Sequence, residues 1–237
     1  MSEQQPEQIA KGSRYVVAVD GPAGAGKGAI CRAVAARFGF SYLDTGSIYR
    51  GVALLSLQNG VSDEEELGEV AANMPFEFRA VADGGFRAFL AGNDVSATLR
   101  EERVGRQASH VAAVPQVRAA LLTFQRRYGG DNNIILDGRD TGTVVWPDAD
   151  LKVFLTASLE ERAKRRALEL QGKGETVSFH KIRDMMAERD ARDESRTHAP
   201  LASAKDAHFI DTTLLTLEQS IDSVVKLVDK LVGNRPR

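Results

Sequence analysis

The chain has 237 residues, of which 43% are hydrophobic and 27% are charged, a composition typical of a globular protein and not of a disordered or fibrous one. Its 31 lysines and arginines are balanced by 33 acidic residues, so the net charge of -2 gives no overall electrostatic reason to bind nucleic acid or an anionic membrane. The single cysteine, Cys31, excludes an intramolecular disulfide and fits a reducing compartment. We therefore expect a cytoplasmic protein that binds neither nucleic acid nor membranes.

The first predicted element follows a polar N-terminal stretch. Residues 1–14 lack the apolar run of a secretory signal, and we expect a disordered extension there. Residues 15–20, YVVAVD, predict a strand buried on both faces of a parallel sheet. A glycine-rich turn comes next, and a helix is predicted over 29–38, ending at Gly39. The order of strand, glycine turn and helix indicates the start of an α/β domain.

The pattern changes in the segment 59–132. Short apolar runs predict strands at 76–80, 86–90 and 93–95, with a hairpin turn signal, Asp-Gly-Gly, at 83–85. Helices are predicted at 101–113 and 116–128. We interpret this segment as a domain with a small antiparallel sheet, inserted into the α/β core.

The α/β pattern returns after the insertion. Strands are predicted at 133–137, 151–155 and 207–211, and helices at 158–171, 179–194 and 217–231. Because strands alternate with helices, they should pair in parallel through right-handed crossovers. The sequence thus predicts a core of residues 15–58 and 133–237, with a central parallel sheet flanked by helices.

The glycine-rich turn carries the most specific motif of the chain. Two glycines five positions apart precede a lysine, which is the P-loop pattern. Small residues let successive backbone N–H groups face phosphate oxygens, the following helix presents its positive end, and the lysine adds a full charge. A P-loop NTPase core is therefore expected. Its ATP-binding residues are predicted to be Gly21, Pro22, Ala23, Gly24, Ala25, Gly26, Lys27, Gly28 and Ala29.

One position departs from the general P-loop pattern. Most P-loops carry a Ser or Thr after the lysine that helps to hold Mg²⁺, whereas this chain has Gly28 followed by Ala29. We therefore expect no direct protein ligand for Mg²⁺, which would be held by phosphates and water. Asp137 is the candidate for additional support through water, with capping of local backbone as its alternative role.

Arginine-rich motifs separate the chain from other P-loop classes. The Asn-Lys-x-Asp segment of GTPases is absent, and no apolar run ends in the Asp-Glu of motor ATPases. LDTGSIYR at 43–50 instead offers Asp44 or Thr45 as the cap of a helix that carries Arg50. DGRDTGT at 137–143 follows a predicted strand, at the sheet edge where α/β proteins bind ligands. Such motifs are expected in a kinase with an anionic acceptor.

A third motif, ERDARDESR at 188–196, lies on a predicted helix. There Arg189, Arg192 and Arg196 recur at i, i+3 and i+7 with Asp193 at i+4, which predicts one charged stripe. A solvated face held by salt bridges is the alternative interpretation.

Together these motifs, with the tail HFIDTT, occur in an order and spacing that resembles the bacterial cytidylate kinases over about residues 15–231. The resemblance implies phosphorylation of CMP and dCMP by ATP and Mg²⁺, and a nucleoside monophosphate-binding domain at the insertion. It also implies a helical lid at about 158–176, with Arg162 at the ATP. Groups acting on the transferring phosphoryl would be Lys27, Arg139, Arg166 and Arg189. The implied CMP-binding residues are Thr45, Arg50, Ser109, Arg118, Arg139, Asp140, Arg189, Asp193 and Arg196.

The chemistry of the acceptor supports this interpretation. The amine of cytosine is a donor that suits Asp140, and its O2 and N3 are acceptors that suit arginine. A nucleoside monophosphate has a second phosphate pKa near 6, so no general base is required at pH 7.

Alternatives remain for the function and for single residues. A kinase for UMP or dTMP, and an ATP-binding switch without an acceptor, both stay open. Ser109 could bond its own helix backbone, and Arg118, Arg162, Arg165 and Arg166 could be surface charges. We expect a monomer.

Overall fold

The computed structural model describes residues 14–80, 86–128, 130–172 and 174–233. Its strands are β1 (Val16–Asp20), β2 (Ser41–Asp44), β3 (Phe76–Ala80), β4 (Phe86–Leu90), β5 (Asn93–Asp94), β6 (Ile134–Gly138), β7 (Leu151–Thr156) and β8 (His208–Asp211). Its α-helices are α1 (Lys27–Phe38), α2 (Thr45–Asn59), α3 (Glu64–Asn73), α4 (Glu102–Val111), α5 (Pro115–Arg127), α6 (Leu159–Gly172), α7 (Phe179–Ser195) and α8 (Leu217–Gly233). The predicted α/β class is confirmed.

A parallel sheet with strand order β2-β6-β1-β7-β8 forms the centre of the protein. Its central strands, β1 and β6, are buried along their whole length, because VVAVD and IILDG are flanked by strands and covered on both faces. Parallel register brings Asp20 beside Gly138 and Asp44 beside Asp137. The carboxyl ends of these strands therefore place polar side chains along one edge of the sheet.

Two apolar cores cover the faces of the sheet. On one face Val17, Val19 and Ile135 pack with α1 and α8. On the other, Ile134 and Leu136 join a cluster contributed by α2, α3, α4 and α5. The helices of segment 59–132 thus share a core with the sheet, and the small antiparallel sheet β3-β4-β5 joins the same core through Phe76, Ala88 and Leu90. The domain boundaries themselves stay a prediction.

A third, smaller apolar cluster joins α6 to α7 through Ala163, Ala167, Ile182 and Met186. The two helices therefore form one unit, which we call the α6–α7 pair. It includes most of the predicted lid, although Lys173 lies outside the described residues. So do residues 1–13 of the predicted N-terminal extension over 1–14 and the turn signal at 83–85. Within the described ranges, no helix is long and apolar enough to cross a bilayer.

Some elements differ from the sequence prediction. Strand β2 has only four residues and helix α3 is strongly acidic at its start, and neither was predicted. A single π-helical turn, Thr141–Val145, follows the DGRD motif. The predicted stripe on α7 is wrong at its end, because the helix stops at Ser195 and Arg196 has a non-helical backbone.

The start of α3 depends on one capping side chain. Asp63 Oδ1 accepts hydrogen bonds from the backbone N–H groups of Glu65, at 2.9 Å, and Glu66, at 3.1 Å. Replacement of Asp63 by alanine should lower the free energy of unfolding by about 1 kcal/mol, because two N–H groups lose their partner. Urea unfolding measures this loss, and Asp63→Asn, which keeps an acceptor, is the control. An equal loss in both variants would contradict the capping role.

Candidate active site

The glycine-rich turn between β1 and α1 is held in a shape that side chains would prevent. Gly21 has φ +145°, and a Cβ there would lie 1.8 Å from the carbonyl oxygen of Leu155. Gly24 has φ +77°, and a Cβ there would lie 2.7 Å from Met186 Cε on α7. The turn therefore lies directly against β7 and the α6–α7 pair, and glycine is required at these two positions.

Lys27, the first residue of α1, is only 6% exposed. Its Nζ donates hydrogen bonds to the carbonyl oxygens of Gly21, at 2.8 Å, and Pro22, at 2.9 Å. Burial, followed by the positive charge of Arg139, lowers the pKa of Lys27, while Asp137 opposes the shift. The ammonium group is thus held at the turn by two hydrogen bonds, and the neighbouring carboxylates do not fully offset the effect of its burial.

Asp137 lies beside the start of α1, at the carboxyl end of β6. Its Oδ2 accepts a hydrogen bond of 2.6 Å from the hydroxyl of Tyr42. A Cβ on Gly28 would lie 3.4 Å from that oxygen, so the carboxylate is next to the place where most P-loops carry a hydroxyl. Burial, and then the charge of Asp44, raises the pKa of Asp137 despite Lys27. A carboxylate oxygen is a ligand type that Mg²⁺ prefers, so the donor set fits this ion.

Two other acidic residues at this edge have structural roles. Asp20 accepts hydrogen bonds of 2.8 Å from the backbone N–H groups of Thr141 and Gly142 and from the Thr141 hydroxyl, which holds the π-helical turn. Asp44 caps α2 by accepting from the Ser47 N–H at 3.0 Å. Of the two predicted caps, Asp44 is therefore the one used, and the Thr45 hydroxyl donates instead to the carbonyl oxygen of Asp137, at 2.8 Å.

Three arginines, one directly after β6, one in α7 and one directly after α7, meet around Asp193, a residue of α7 that is 4% exposed. Arg139 Nε lies 2.9 Å from Asp193 Oδ2, Arg189 Nε lies 3.9 Å from the same oxygen, and Arg196 Nη2 lies 3.6 Å from Oδ1. Burial would raise the pKa of Asp193, but these three charges outweigh it and hold the pKa below its ordinary value. One carboxylate is thus the shared counterion of three guanidinium groups.

The same region contains further positive charge. Burial, and then Arg139, lowers the pKa of Arg189 to about 9. Burial also lowers the pKa of Arg50, on the second turn of α2, and Arg139 and Arg166 add to the shift. The charges of Arg139 and Arg189 also lower the pKa of Lys27, so these cations lie close enough to interact electrostatically. This concentration of cations at one edge of the sheet predicts an anionic ligand.

A buried ion pair lies next to the arginine group. Arg118, from α5, contacts Asp140, and its guanidinium lies 5.7 Å from the centre of the Tyr49 ring. Burial raises the pKa of Asp140, although Arg118 and Arg196 oppose the shift. Arg118 is therefore not a free surface charge. The pair offers a carboxylate and a guanidinium side by side, which can hydrogen-bond a base with both donors and acceptors.

Ser109 and Arg192 connect α4 to α7. Arg192 Nε lies 3.3 Å from the hydroxyl oxygen of Ser109, which is 5% exposed. Arg192 therefore points to α4, whereas Arg189 and Arg196 point to Asp193, so the predicted single stripe is divided between two partners.

The arginines of α6 have different environments. Arg162 donates to the carbonyl oxygen of Ala23 in the P-loop at 3.0 Å and forms a 2.7 Å ion pair with Asp190 of α7. Arg165 donates to the carbonyl oxygen of Thr212 at 2.6 Å, which anchors α6 to the end of β8. Arg166 forms a half-exposed pair with Glu169 at 2.7 Å. Arg162 is thus the α6 arginine that contacts the P-loop, and its role toward ATP stays a prediction.

Two residues of this site, Tyr42 and Asp190, were not predicted from the sequence, and for Arg192 only the charged stripe was predicted and not its partner. Tyr42 directly precedes the LDTGSIYR motif, but its bond to Asp137 joins positions 95 apart. Asp190 and Arg192 lie inside ERDARDESR, and their partners Arg162 and Ser109 are far away along the chain. Charge spacing on one helix does not indicate such partners.

Strand, glycine turn, buried lysine and helix, on a parallel sheet with clustered arginines at its carboxyl edge, define the class of P-loop kinases. The model of the family described as cytidylate kinase matches residues 17–230. A cytidylate kinase of Magnetococcus marinus is 58% identical over 219 residues, which cover 92% of this chain and 97% of the relative. One of Chromobacterium violaceum is 47% identical over 213 residues, covering 89% and 94%. The chain belongs to the cytidylate kinase family.

Proposed function

We propose that this protein transfers the γ-phosphoryl group of ATP to the phosphate of CMP and dCMP, giving ADP with CDP or dCDP. The proposal rests on the proximity of four cations, each of which interacts electrostatically with at least one of the others: Lys27, Arg50, Arg139 and Arg189. Arg139 affects the pKa of both Lys27 in the P-loop and Asp140, so this positive charge adjoins the P-loop and the Arg118–Asp140 pair. Two nucleotides that meet through their phosphates would place most of their negative charge there.

The donor side is proposed to hold the triphosphate of ATP. Backbone N–H groups of residues 21–29, except Pro22, would surround its phosphates, and Lys27 would exchange its carbonyl partners for phosphate oxygens. Arg162 contacts the P-loop at Ala23 and is positioned to support this turn. The family generally uses Mg²⁺, and Asp137 is the residue of this chain that would support the ion, which neutralises phosphate charge when bound.

The acceptor side is proposed to bind both ends of the CMP molecule, the phosphate and the base. Arg50, Arg139 and Arg189 would hold the phosphate, because they are neighbouring, partly buried cations, and an anionic ligand would offset the lowered pKa of Arg50 and Arg189. The proposed base-reading and sugar-binding residues are Thr45, Ser109, Arg118, Asp140, Asp193 and Arg196. Asp140 would accept from the cytosine amine, while arginines would donate to O2 and N3.

Catalysis would consist of alignment and charge stabilisation. The acceptor phosphate is mostly ionised at pH 7, so the protein needs no side chain to remove a proton. Lys27, Arg139, Arg166 and Arg189 would stabilise charge on the transferring group, and the phosphorus–oxygen bond to ADP breaks as the bond to CMP forms. Movement of the α6–α7 pair would exclude water and limit hydrolysis of ATP.

We further propose that the protein acts as a monomer in the cytoplasm. Its single, buried cysteine fits a reducing compartment, and both proposed substrates are small soluble molecules.

One experiment tests the function against its alternatives. ADP production is measured from ATP and Mg²⁺ with CMP, dCMP, UMP, AMP or dTMP added singly. We expect CMP and dCMP to give the highest rates and the reaction without an acceptor to give almost none. Preference for UMP or dTMP would contradict the acceptor assignment, and equal ADP production without an acceptor would favour an ATP-binding switch.

Asp140 should matter for the acceptor and not for ATP. Replacement of Asp140 by alanine removes the carboxylate and leaves Arg118 without its buried partner, so kcat/KM for CMP should fall by about 100-fold. ATP affinity, measured by calorimetry, should change less than threefold. A matched loss of ATP binding would instead place Asp140 on the donor or metal side.

A further inference from the structure

Asp190 lies on the face of α7 that packs against both α6 and the P-loop. One helical turn before it, Met186 reaches the P-loop, since a Cβ on Gly24 would lie 2.7 Å from Met186 Cε and 3.2 Å from Arg162 Cβ. Asp190 Oδ2 lies 2.7 Å from Arg162 Nη1. Asp190 is only 9% exposed and Arg162 only 6%, so this ion pair is largely removed from water. The pair therefore lies directly behind the glycine-rich turn.

The guanidinium group of Arg162 is held by three partners. Its Nε donates to the carbonyl oxygen of Ala157, just before α6, at 2.9 Å, and its Nη1 donates to the carbonyl oxygen of Ala23 at 3.0 Å. Asp190 is the third partner and the only charged one of the three. The apolar cluster between α6 and α7 already joins the two helices. What Asp190 adds is therefore the orientation of the guanidinium toward the P-loop.

The bond to Ala23 also sets the direction of the next backbone N–H. In a trans peptide unit the carbonyl and the following N–H point in opposite directions, and the described residues contain no cis peptide bond. Because the Ala23 carbonyl faces Arg162, the N–H of Gly24 points away from it. Among the described residues this N–H has no hydrogen-bond partner. It is thus a free donor of the kind that P-loops direct at phosphate oxygens.

Ordering this turn is costly for the chain. Gly21, Gly24 and Gly26 all have positive φ, and glycine loses more conformational entropy on ordering than any other residue. A contact that orders the turn before the ligand arrives lowers the cost of binding.

We propose that Asp190 is a positioning residue for the donor nucleotide, which holds Arg162 on the Ala23 carbonyl and so orders the P-loop for the triphosphate of ATP. The inference rests on the proposed function and deepens its donor half. Asp190 itself touches neither nucleotide in this account. It acts through Arg162, and through Arg162 on the backbone of the turn.

A purely electrostatic role of Asp190 would have the opposite sign. Burial lowers the pKa of Arg189, and the charge of Asp190 is among those that oppose this shift, so the carboxylate lies near the proposed phosphate site. A carboxylate repels phosphates. If charge were its only effect, its removal should strengthen the binding of both ATP and CMP, whereas the positioning role predicts weaker binding of ATP.

Asp190→Asn removes the charge and keeps the shape of the side chain. The Kd for ATP with Mg²⁺ and the Kd for CMP are measured separately by calorimetry, so phosphoryl transfer is not required. The Kd for ATP should rise about tenfold, the loss of one charge-assisted hydrogen-bond contact, and the Kd for CMP should stay within about threefold. Asp184→Asn is the matched control, because it removes the same charge from an exposed position of α7 and should change neither Kd.

A second pair of variants tests whether Asp190 acts through Arg162. In an Arg162→Met background, Asp190→Asn should not weaken ATP binding further, because the guanidinium that it positions is already absent. If Asp190→Asn alone does not fold, this comparison decides.

Three results would overturn the inference. They are a Kd for ATP that is unchanged or lower in Asp190→Asn, an equal rise in the Kd for ATP and for CMP, and a further weakening of ATP binding by Asp190→Asn without Arg162. Failure of the proposed function would be seen separately, as a wild-type protein that binds ATP and CMP but forms no CDP.

Discussion

Replacement of Lys27 by methionine should lower kcat for phosphoryl transfer by about 10³-fold, because the ammonium group would no longer stabilise charge on the transferring phosphoryl. The protein should remain folded. Burial lowers the pKa of Lys27, so its charged form is less favourable in the folded state than in the unfolded state at neutral pH. Methionine has a similar volume and carries no charge. The thermal midpoint of the variant should therefore equal or exceed that of the wild type.

Steady-state kinetics with saturating ATP and CMP, together with thermal unfolding, check both parts of this expectation. Lys226→Met, an exposed lysine of α8, is the matched control and should leave both quantities unchanged. If Lys27→Met kept more than a tenth of the wild-type kcat, the lysine would not be a phosphate ligand. A large fall in thermal midpoint would mean that its bonds to Gly21 and Pro22 hold the turn.

Replacement of Asp193 by asparagine should cause the largest loss of stability among the site variants, about 3 kcal/mol in the free energy of unfolding. Asparagine keeps the shape of the side chain but leaves Arg139, Arg189 and Arg196 without their shared counterion. Urea unfolding without nucleotides measures the loss. The arginine positions should also become less defined, so KM for CMP should rise more than KM for ATP.

The pH dependence of the free energy of unfolding shows in which pH range the Asp193 carboxylate stabilises the protein. The pKa of Asp193 is lowered in the folded state from its ordinary value of 3.8. Its stabilising effect is therefore present above about pH 4 and is lost as the pH falls through the folded-state pKa. The difference between wild type and Asp193→Asn should shrink below pH 3.8 and be constant near neutrality. Asp184→Asn, on the exposed side of α7, is the control. Equal stabilities of wild type and Asp193→Asn at pH 7 would contradict the role of Asp193 as the shared counterion.

Much of the fold could be predicted from local patterns. The buried strands β1, β6 and β7 are continuous apolar runs, and β3 and β4 are separated by a strong turn signal, so their periodicity and flanks were informative. Strand β2 could not be predicted, because its four residues include two polar ones and its pairing with β6 is a tertiary contact. The end of α7 was predicted to within one residue, but the placing of Arg196 on its helical stripe was wrong, because Arg196 follows the helix and its Nε donates to the carbonyl oxygen of Asp193.

The residues of the site also fall into two groups, those that a local motif identifies and those whose contacts depend on tertiary packing. The P-loop is a local motif whose residues act through their own backbone, so Lys27 and its glycines could be identified directly. The arginine motifs indicated a cationic site but not which arginine contacts which acid. Arg162 with Asp190, Tyr42 with Asp137 and Arg192 with Ser109 join distant positions, and their geometry depends on how α6, α7 and α4 pack.

The fate of the γ-phosphoryl group tests the central claim most directly. The protein is incubated with Mg²⁺, CMP and ATP labelled at its γ-phosphorus, and the products are separated. We expect the label in the β-phosphate of CDP, in amounts equal to the ADP formed, with little label in inorganic phosphate. Label recovered only as inorganic phosphate, or an equal release of ADP when CMP is omitted, would contradict the assignment of this chain as a CMP kinase.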